Sequence, residues 1–256
     1  MMNKSTRREL NKKIYADTLE YVDELSLTTK LSSTVKLKIK SQEILFNYKK
    51  KYNKTIIQVV NQDVIKTTID LHNTDVNQKK NILVLNLASR THFGGGVKNG
   101  AMAQEEELFR KTSYGKHTGI ELYPLKLNEF TFTPGVYVIK DEHYNRLGED
   151  QIFPVDMLAI SALSNPKLVD GKLNEFNYNL TFEKIETIFK YALTNGNEHL
   201  VLGALGCGAF NNPPLDIIEM FNFCVKKYNG YFANIIFSVK SVFDNNFNLF
   251  NEHIVR

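Results

Sequence analysis

Apolar and polar positions along this chain change their period several times, and each change marks an element. Leu10, Ile14, Tyr21 and Leu25, supported by Tyr15, Leu19 and Val22, recur at helical spacing, and Thr6 with Glu9 three residues on has capping-box spacing. The chain is therefore expected to open with a helix. Val35, Leu37 and Ile39 then alternate with Lys36, Lys38 and Lys40, the period of a half-exposed strand, while Ile44, Leu45, Tyr48 and Tyr52 suggest a second helix. From about residue 55 onward, apolar runs and amphipathic stretches alternate. Ile56–Val60 and Ile82–Leu87 read as strands, with Val64, Ile65, Thr68 and Ile69 as one helical face between them. Gln104–Lys111 reads as a helix, 136–139 and 157–163 as strands, and the charged stretch 141–151 as a loop. Thr181 is placed to cap a helix whose stripe is Phe182, Ile185, Ile188, Phe189 and Ala192, ended by Asn195-Gly196. A strand at 199–204 follows, then a helix opened by Pro213-Pro214 and carrying Ile217, Ile218, Phe221, Cys224 and Val225, then a last strand at 235–239. Such alternation predicts an α/β domain of three layers, α/β/α, with a mostly parallel or mixed sheet. No Pro/Gly/Ser-rich linker precedes it, so residues 1–54 read as an N-terminal helical accessory region and 55–256 as the main domain.

Composition narrows the class. A chain of 256 residues, 43% of them hydrophobic, is long enough to bury a full core. Cys207 and Cys224 are too few for a disulfide framework and lack the clustered partners of a structural zinc site, which favours a reducing, cytoplasmic location. No apolar run has the length of a membrane span, and the first residues lack the apolar core of a secretory signal. The net charge of +4 conceals an asymmetry: residues 1–54 carry 13 Lys+Arg against 6 Asp+Glu, whereas 55–256 carry 19 against 22. That basic excess suits a polyanion or simply a solvated face, and no motif of a sequence-specific nucleic-acid reader accompanies it.

Candidate chemistry gathers at two loops. Gly94, Gly95 and Gly96 follow the buried strand 82–87, where open α/β sheets hold their ligands, and without Cβ atoms their backbone can approach a ligand closely. The loop has neither the P-loop ending nor the spacing of a dinucleotide fingerprint. Seven residues later come Gln104, Glu105, Glu106 and Glu107, in the first turn of a helix. Acidic residues there also serve as simple dipole partners, but their position beside a glycine loop places them next to a bound group. Adjacent helix positions point about 100° apart, so Glu105 and Glu106 do not flank one bond from opposite sides; one suits proton transfer and the other orientation. The second loop, from Gly203 through Gly206, Cys207, Gly208, Ala209 and Phe210, follows a strand and precedes a proline-started helix, a natural seat for a diphosphate. Phe210 is placed to cover a ring face of the ligand. Cys207 has no base nearby in the sequence, which argues against thiol catalysis.

Taken together, Leu85-Asn86-Leu87-Ala88-Ser89, Gly94-Gly95-Gly96, Asn99-Gly100-Ala101, Ala103-Gln104-Glu105-Glu106 and the loop 203–210 resemble the microbial-type poly(ADP-ribose) glycohydrolases, a branch of the macrodomain fold recognised by GGG, six to eight residues, then QEE. The likeness runs from about Ile56 to Phe250 and is weaker in the N-terminal helices, which in that family pack near the ligand. The resemblance implies a hydrolase that releases ADP-ribose, with Glu106 as acid/base and Glu105 holding the ribose hydroxyls. Gly94, Gly95, Gly96, Val97 and Gln104 would line the ribose end, Gly206, Cys207, Gly208 and Ala209 would cradle the diphosphate, and Phe210 would pack on the ligand. No metal or cofactor is implied, and a raised pKa on Glu106, caused by the neighbouring Glu105 charge, would help it donate a proton. Partners would be ADP-ribose, poly(ADP-ribose) and ADP-ribosylated proteins, without a membrane. Removal of a single ADP-ribose from protein, or binding of ADP-ribose without cleavage, are the alternatives. Two positions depart from the family pattern: Ser89 stands where asparagine is usual, and Phe93 where proline commonly precedes the glycines. Phe243, Phe247 and Phe250 resemble the family's closing aromatic segment.

Overall fold

The computed structural model describes residues 3–39, 48–74, 81–241 and 244–256. Helix α1 (Lys4–Glu24) leads into strand β1 (Val35–Lys38), followed by β2 (Ile56–Val60), α2 (Val64–Asn73), β3 (Ile82–Leu87), α3 (Gln104–Lys111), β4 (Glu129–Val138) and β5 (Phe153–Ile160). A short hairpin, β6 (Leu168–Val169) and β7 (Lys172–Leu173), precedes α4 (Glu175–Thr194), β8 (His199–Leu202), α5 (Pro214–Lys227), β9 (Asn234–Ser238) and α6 (Asn246–His253). Seven strands form one mixed sheet in the order β1-β4-β5-β3-β8-β9-β2. β5, β3, β8, β9 and β2 run parallel, whereas β4 is antiparallel to both β5 and β1.

Why β3 lies at the centre follows from its side chains, which are apolar on both faces apart from Asn86. Leu83 and Leu85 join the core beneath α4, α5 and α6, with Ile188, Phe221 and Phe250, while Ile82 and Val84 join Ile65, Leu108 and Phe109 beneath α2 and α3. Each such side chain contributes roughly 1.5–3 kcal/mol when fully buried, so the sheet is held from both sides as expected of a three-layer α/β/α domain. This arrangement puts the loops after β3, β5 and β8 on one edge of the sheet.

Several element boundaries differ from the sequence reading, each for a local reason. The cap of α1 is Asn3, whose Oδ1 accepts from the Thr6 amide at 2.8 Å, so Thr6 is capped rather than capping. The buried face of α1 is Asn11, Tyr15, Thr18 and Val22, with Leu10 exposed, because two polar residues of that stripe bind backbone around the site. Tyr48 and Tyr52 lie in irregular chain, and Ile44 and Leu45 fall outside the described residues, as does Phe243. β4 begins seven residues before 136, since Pro134-Gly135 makes an irregularity within the strand instead of ending it; Gly135 adopts a φ of +67°. α4 starts after Asn174, whose side chain caps the Asn177 amide, and Thr181 is fully buried within the helix.

Candidate active site

The acidic run in the first turn of α3 divides into three environments. Glu107 faces Arg110 and Lys111 at 2.6 and 2.9 Å and accepts from the Tyr144 hydroxyl at 2.7 Å. Burial opposes its charge, but those two cations and the hydroxyl outweigh it and hold the carboxyl down at about 2. Lys111 in turn reaches Asp63, the cap of α2, at 2.8 Å. Glu107 is thus an ion-pair anchor that fixes α3 on α2.

Glu105 and Glu106 point instead toward the glycine loop and are 3% and 6% exposed. Oε2 of Glu105 accepts from the Ser89 amide at 2.7 Å, and its Oε1 from Asn86 Nδ2 at 3.3 Å. Glu106 accepts from the Gly96 amide at 2.8 Å through Oε1 and from the Ala103 amide at 2.7 Å through Oε2. The second of these is the backbone half of a capping box, so helix formation itself sets the side chain. Burial, joined by the charge of Glu106, pushes the Glu105 carboxyl up to about 8 against the amides of Ser89 and Gly94 and the Asn86 side chain. Of the adjacent pair, it is Glu105 whose proton affinity is displaced, with burial the larger cause and the Glu106 charge a smaller one.

The triple glycine has a role the sequence did not reveal. A Cβ on Gly95, whose φ is +56°, would strike Glu106 Oε1 and lie 2.9 Å from Glu105 Oε2; one on Gly94 would lie 2.7 Å from Phe109. The Gly95 amide donates to the His92 carbonyl at 3.0 Å, and those of Gly96 and Gly94 serve Glu106 and Glu105. Absence of side chains here lets two carboxylates and an aromatic ring close onto the backbone. Val97 is 2% exposed and belongs to the core under α3, so its side chain lies inside the domain.

Gln104 clamps the end of the central strand, accepting from the Leu87 amide at 2.9 Å and donating to the Leu85 carbonyl at 2.6 Å. Beside it opens a cleft of about 200 Å³ lined by Ala103, Gln104, Gly206, Gly208, Ala209 and Phe210, with Leu87 and Ala162 in its wall. The second loop and the start of α3 thus share this cleft, whereas Gly94, Gly95, Gly96, Val97, Glu105 and Glu106 are not among its lining residues; the carboxylate pair follows directly on Gln104. Asn212 holds the second loop, donating to Leu163 O at 2.7 Å and Gly206 O at 3.1 Å. Within this loop the amides of Gly208, Ala209 and Phe210 take part in none of the backbone bonds among the described residues, and a Cβ on Gly208 would meet nothing within 4 Å. These amides, not those of the triple glycine, are the ones that can receive an anion. Cys207 turns away from the cleft, and burial, helped by the Asp244 charge, pushes its thiol up to about 12, which removes it as a nucleophile near neutrality. No group of three or more His, Cys, Asp or Glu able to hold a metal occurs among the described residues. A wider apolar groove of about 760 Å³ between α4 and α5, with Phe182, Leu215 and Phe223, contains none of the loop residues.

The two departures from the family pattern have clear local roles. Ser89 contributes its backbone to Glu105 and turns its Oγ to the amides of Thr91 and His92, each at 3.2 Å. Phe93 packs edge-on against Phe109 and Tyr114, with ring centroids at 4.9 and 5.2 Å. Residues to which pattern reading gave no role include Asn86, Tyr114, Asn11 and Asn212. Asn86 alone left a signal, as a polar residue inside an otherwise apolar central strand.

The fold is shared by solved structures of bacterial enzymes. The poly(ADP-ribose) glycohydrolase of Thermomonospora curvata bound to the inhibitor ADP-HPD superposes with a TM-score of 0.77 at 23% identity, covering 95% of this chain and 98% of that one. The poly(ADP-ribose) glycohydrolase of Deinococcus radiodurans in complex with ADP-ribose does so with a TM-score of 0.73 at 21% identity, covering 93% and 96%. No curated protein sequence matches the chain. The family model described as microbial-type PARG, catalytic domain, matches residues 11–141, from within α1 past the glycine loop, the QEE helix and β4. With that match spanning half of its length, the chain belongs to the microbial-type PARG catalytic domain family.

Proposed function

We infer that the chain is a glycohydrolase that cleaves the O-glycosidic ribose bond of poly(ADP-ribose) and releases ADP-ribose. One observation carries this reading: two buried, adjacent carboxyls close onto the glycine loop directly after Gln104, and Gln104 lines a cleft whose other wall is the second loop with its unspent backbone amides. A module that only bound ADP-ribose would need the cleft and the amides, but not a buried acidic pair whose desolvation costs stability. The solved relatives with ADP-ribose or ADP-HPD bound, and the family itself, support the ligand class.

In this reading Glu106 is the acid/base. Its two amide bonds fix the side chain, so it meets the leaving oxygen at the distal ribose without reorganising. It protonates that oxygen as the C–O bond breaks and positive charge develops on the sugar; the carboxylate then takes a proton from the attacking water. Glu105, neutral through most of the physiological range, donates to or accepts from ribose hydroxyls and spares Glu106 a second negative charge at close range. The diphosphate rests on the amides of Gly208 and Ala209, and Phe210 covers a face of the ligand. We extend the same proposal to residues 1–54 as an accessory to a catalytic domain at 55–256, to ADP-ribosylated proteins as partners and to a cytoplasmic location. The two free cysteines support that location, and no described helix is long and apolar enough to cross a membrane.

Glu106→Gln is expected to lower ADP-ribose release from the polymer by about a thousandfold or more while ADP-ribose binding persists. Release and binding are followed by chromatography and calorimetry. Turnover by Glu106→Gln equal to the parent, on both polymer and mono-ADP-ribosylated protein, would sink the assigned role.

A further inference from the structure

Behind Glu105, on the face of the sheet covered by α3, lies a group of polar side chains that the reaction as described does not use. Asn86 on β3 and Thr131 on β4 both stand in register with Ala159 on β5, so the small alanine side chain separates two polar ones in a single row. Asn86, Thr131 and Tyr114 are 1%, 0% and 0% exposed. Asn86 Oδ1, the Thr131 hydroxyl, the Tyr114 hydroxyl and the buried hydroxyl of Tyr123 all lack a hydrogen bond of good geometry among the described residues. They are mutual neighbours at the margin of hydrogen-bonding reach: Tyr114 to Asn86, Thr131 and Thr133, and Tyr123 to Thr131 with Tyr114 beside it, and both phenols feel the Glu105 charge. Phe93 closes the group from outside by packing on Tyr114 and Tyr123.

Buried polar groups in native proteins are nearly always paired, and ordered water with two to four polar neighbours is the usual partner where side chains stop short. Four such groups around an alanine supply the polar neighbours that such a water needs. Asn86 adds a second property. Its amide presents a donor to Glu105 at 3.3 Å while its carbonyl oxygen faces the other way, and turning the amide over would offer an acceptor to a protonated carboxyl. The hydroxyls rotate freely enough to follow either arrangement.

We propose that Asn86, Tyr114, Tyr123 and Thr131 bind ordered water above Ala159 and act as positioning residues for Glu105, the Asn86 amide turning between donor and acceptor as Glu105 loses and gains its proton. No bond is made or broken within this group; the proton exchanged at Glu105 comes from and returns to the cleft. The titratable groups that face Glu105 among the described residues are Glu106 on its own helix and the phenols of Tyr114 and Tyr123, whereas β3 and β4 offer only Asn86 and threonines. The proposal rests on the reading of Glu105 and Glu106 as the reacting pair.

Tyr114→Phe, Tyr123→Phe and Thr131→Val keep shape and remove one hydroxyl each. The Glu105 carboxyl is titrated by infrared difference spectroscopy against Glu105→Gln, and ADP-ribose release is measured across pH. With water lost from around the carboxylate, the Glu105 midpoint is expected to move upward by about half a pH unit or more in each variant. The alkaline limb of kcat would move with it, while KM stays within about twofold. An unchanged Glu105 midpoint in the variants that fold overturns the proposal, whatever happens to their melting temperatures. A parent chain that releases no ADP-ribose would instead overturn the proposed function, and the infrared titration would still decide the water pocket.

Discussion

Gly95 and Glu105 show how much of this site depends on single side chains, one of them absent. Adding a methyl group at Gly95 would place it against both carboxyls at a backbone φ that L-residues rarely adopt. Gly95→Ala is therefore expected to cost about 1–2 kcal/mol in chemical denaturation and to lower kcat by at least about tenfold. Wild-type turnover in that variant would mean that the glycine loop does not set the carboxylates. Glu105 makes a second prediction through its proton. Its folded carboxyl is held at about 8 against an ordinary 4.5, so between those values the folded chain keeps a proton that the unfolded chain has released. The contribution of this group to stability is complete below the ordinary value and is lost as pH rises toward about 8. Glu105→Gln has no such titration, and its amide pairs with a turned-over Asn86. Its melting temperature should gain on the parent steadily from pH 5 to pH 8; parallel curves in differential scanning calorimetry would sink the assignment.

Among the elements, α1 does more than cover a surface. Asn11 Nδ2 donates to the Gly100 carbonyl at 3.0 Å, and the Thr18 hydroxyl to the Arg110 carbonyl at 2.6 Å, so one helix grips both the loop before α3 and its last turn. Lys140, fully buried, secures the same helix through Asp17 at 2.5 Å and Thr18 at 2.8 Å. This explains why the polar stripe of α1 faces inward. Asn11→Ala leaves the Gly100 carbonyl without its buried donor, at a cost of about 1–3 kcal/mol. Because that loop carries the Gly96 and Ala103 amides to Glu106, kcat should fall while KM changes little. Unaltered stability and kcat together would show that α1 does not hold the loop through this bond. Legibility from sequence followed the same divide between local pattern and distant contact. α3 was readable to the residue, because its acidic first turn, apolar Leu108-Phe109 and basic end are all local signals. The first half of β4 was hidden by Pro134-Gly135, which has the composition of a turn but lies inside a strand, and the polar opening turns of α4 hid its true cap at Asn174. The glycine and QEE motifs pointed to the candidate site. They did not show that the glycine amides serve the carboxylates, nor that Tyr114, Tyr123 and Thr131 gather behind Glu105, since those relations join residues from separate strands and loops.

At the scale of the whole molecule, the sheet order brings the two halves of the site together. β3 and β8 are neighbours, so the loop bearing Ser89 and the glycines and the loop bearing Gly206 to Phe210 emerge side by side, and the start of α3 lines the cleft through Gln104. A ligand spanning both loops would tie the β3 and β8 sides of the sheet to each other and to α3. Binding to the folded state alone stabilises by mass action, about 2.7 kcal/mol at a ligand concentration a hundred times Kd. For a domain of this size each kcal/mol moves the melting temperature by about 2–4 °C, so saturating ADP-ribose should raise it by roughly 5–10 °C. Adenosine, which has no diphosphate for the Gly208 and Ala209 amides and no distal ribose for the carboxyl pair, should raise it far less. Glu106→Gln should retain the response to ADP-ribose, since under the proposed mechanism that change removes proton transfer and leaves the second loop untouched. Equal shifts with adenosine and ADP-ribose would mean that the second loop does not hold a diphosphate, and no shift with either would remove the ligand class itself.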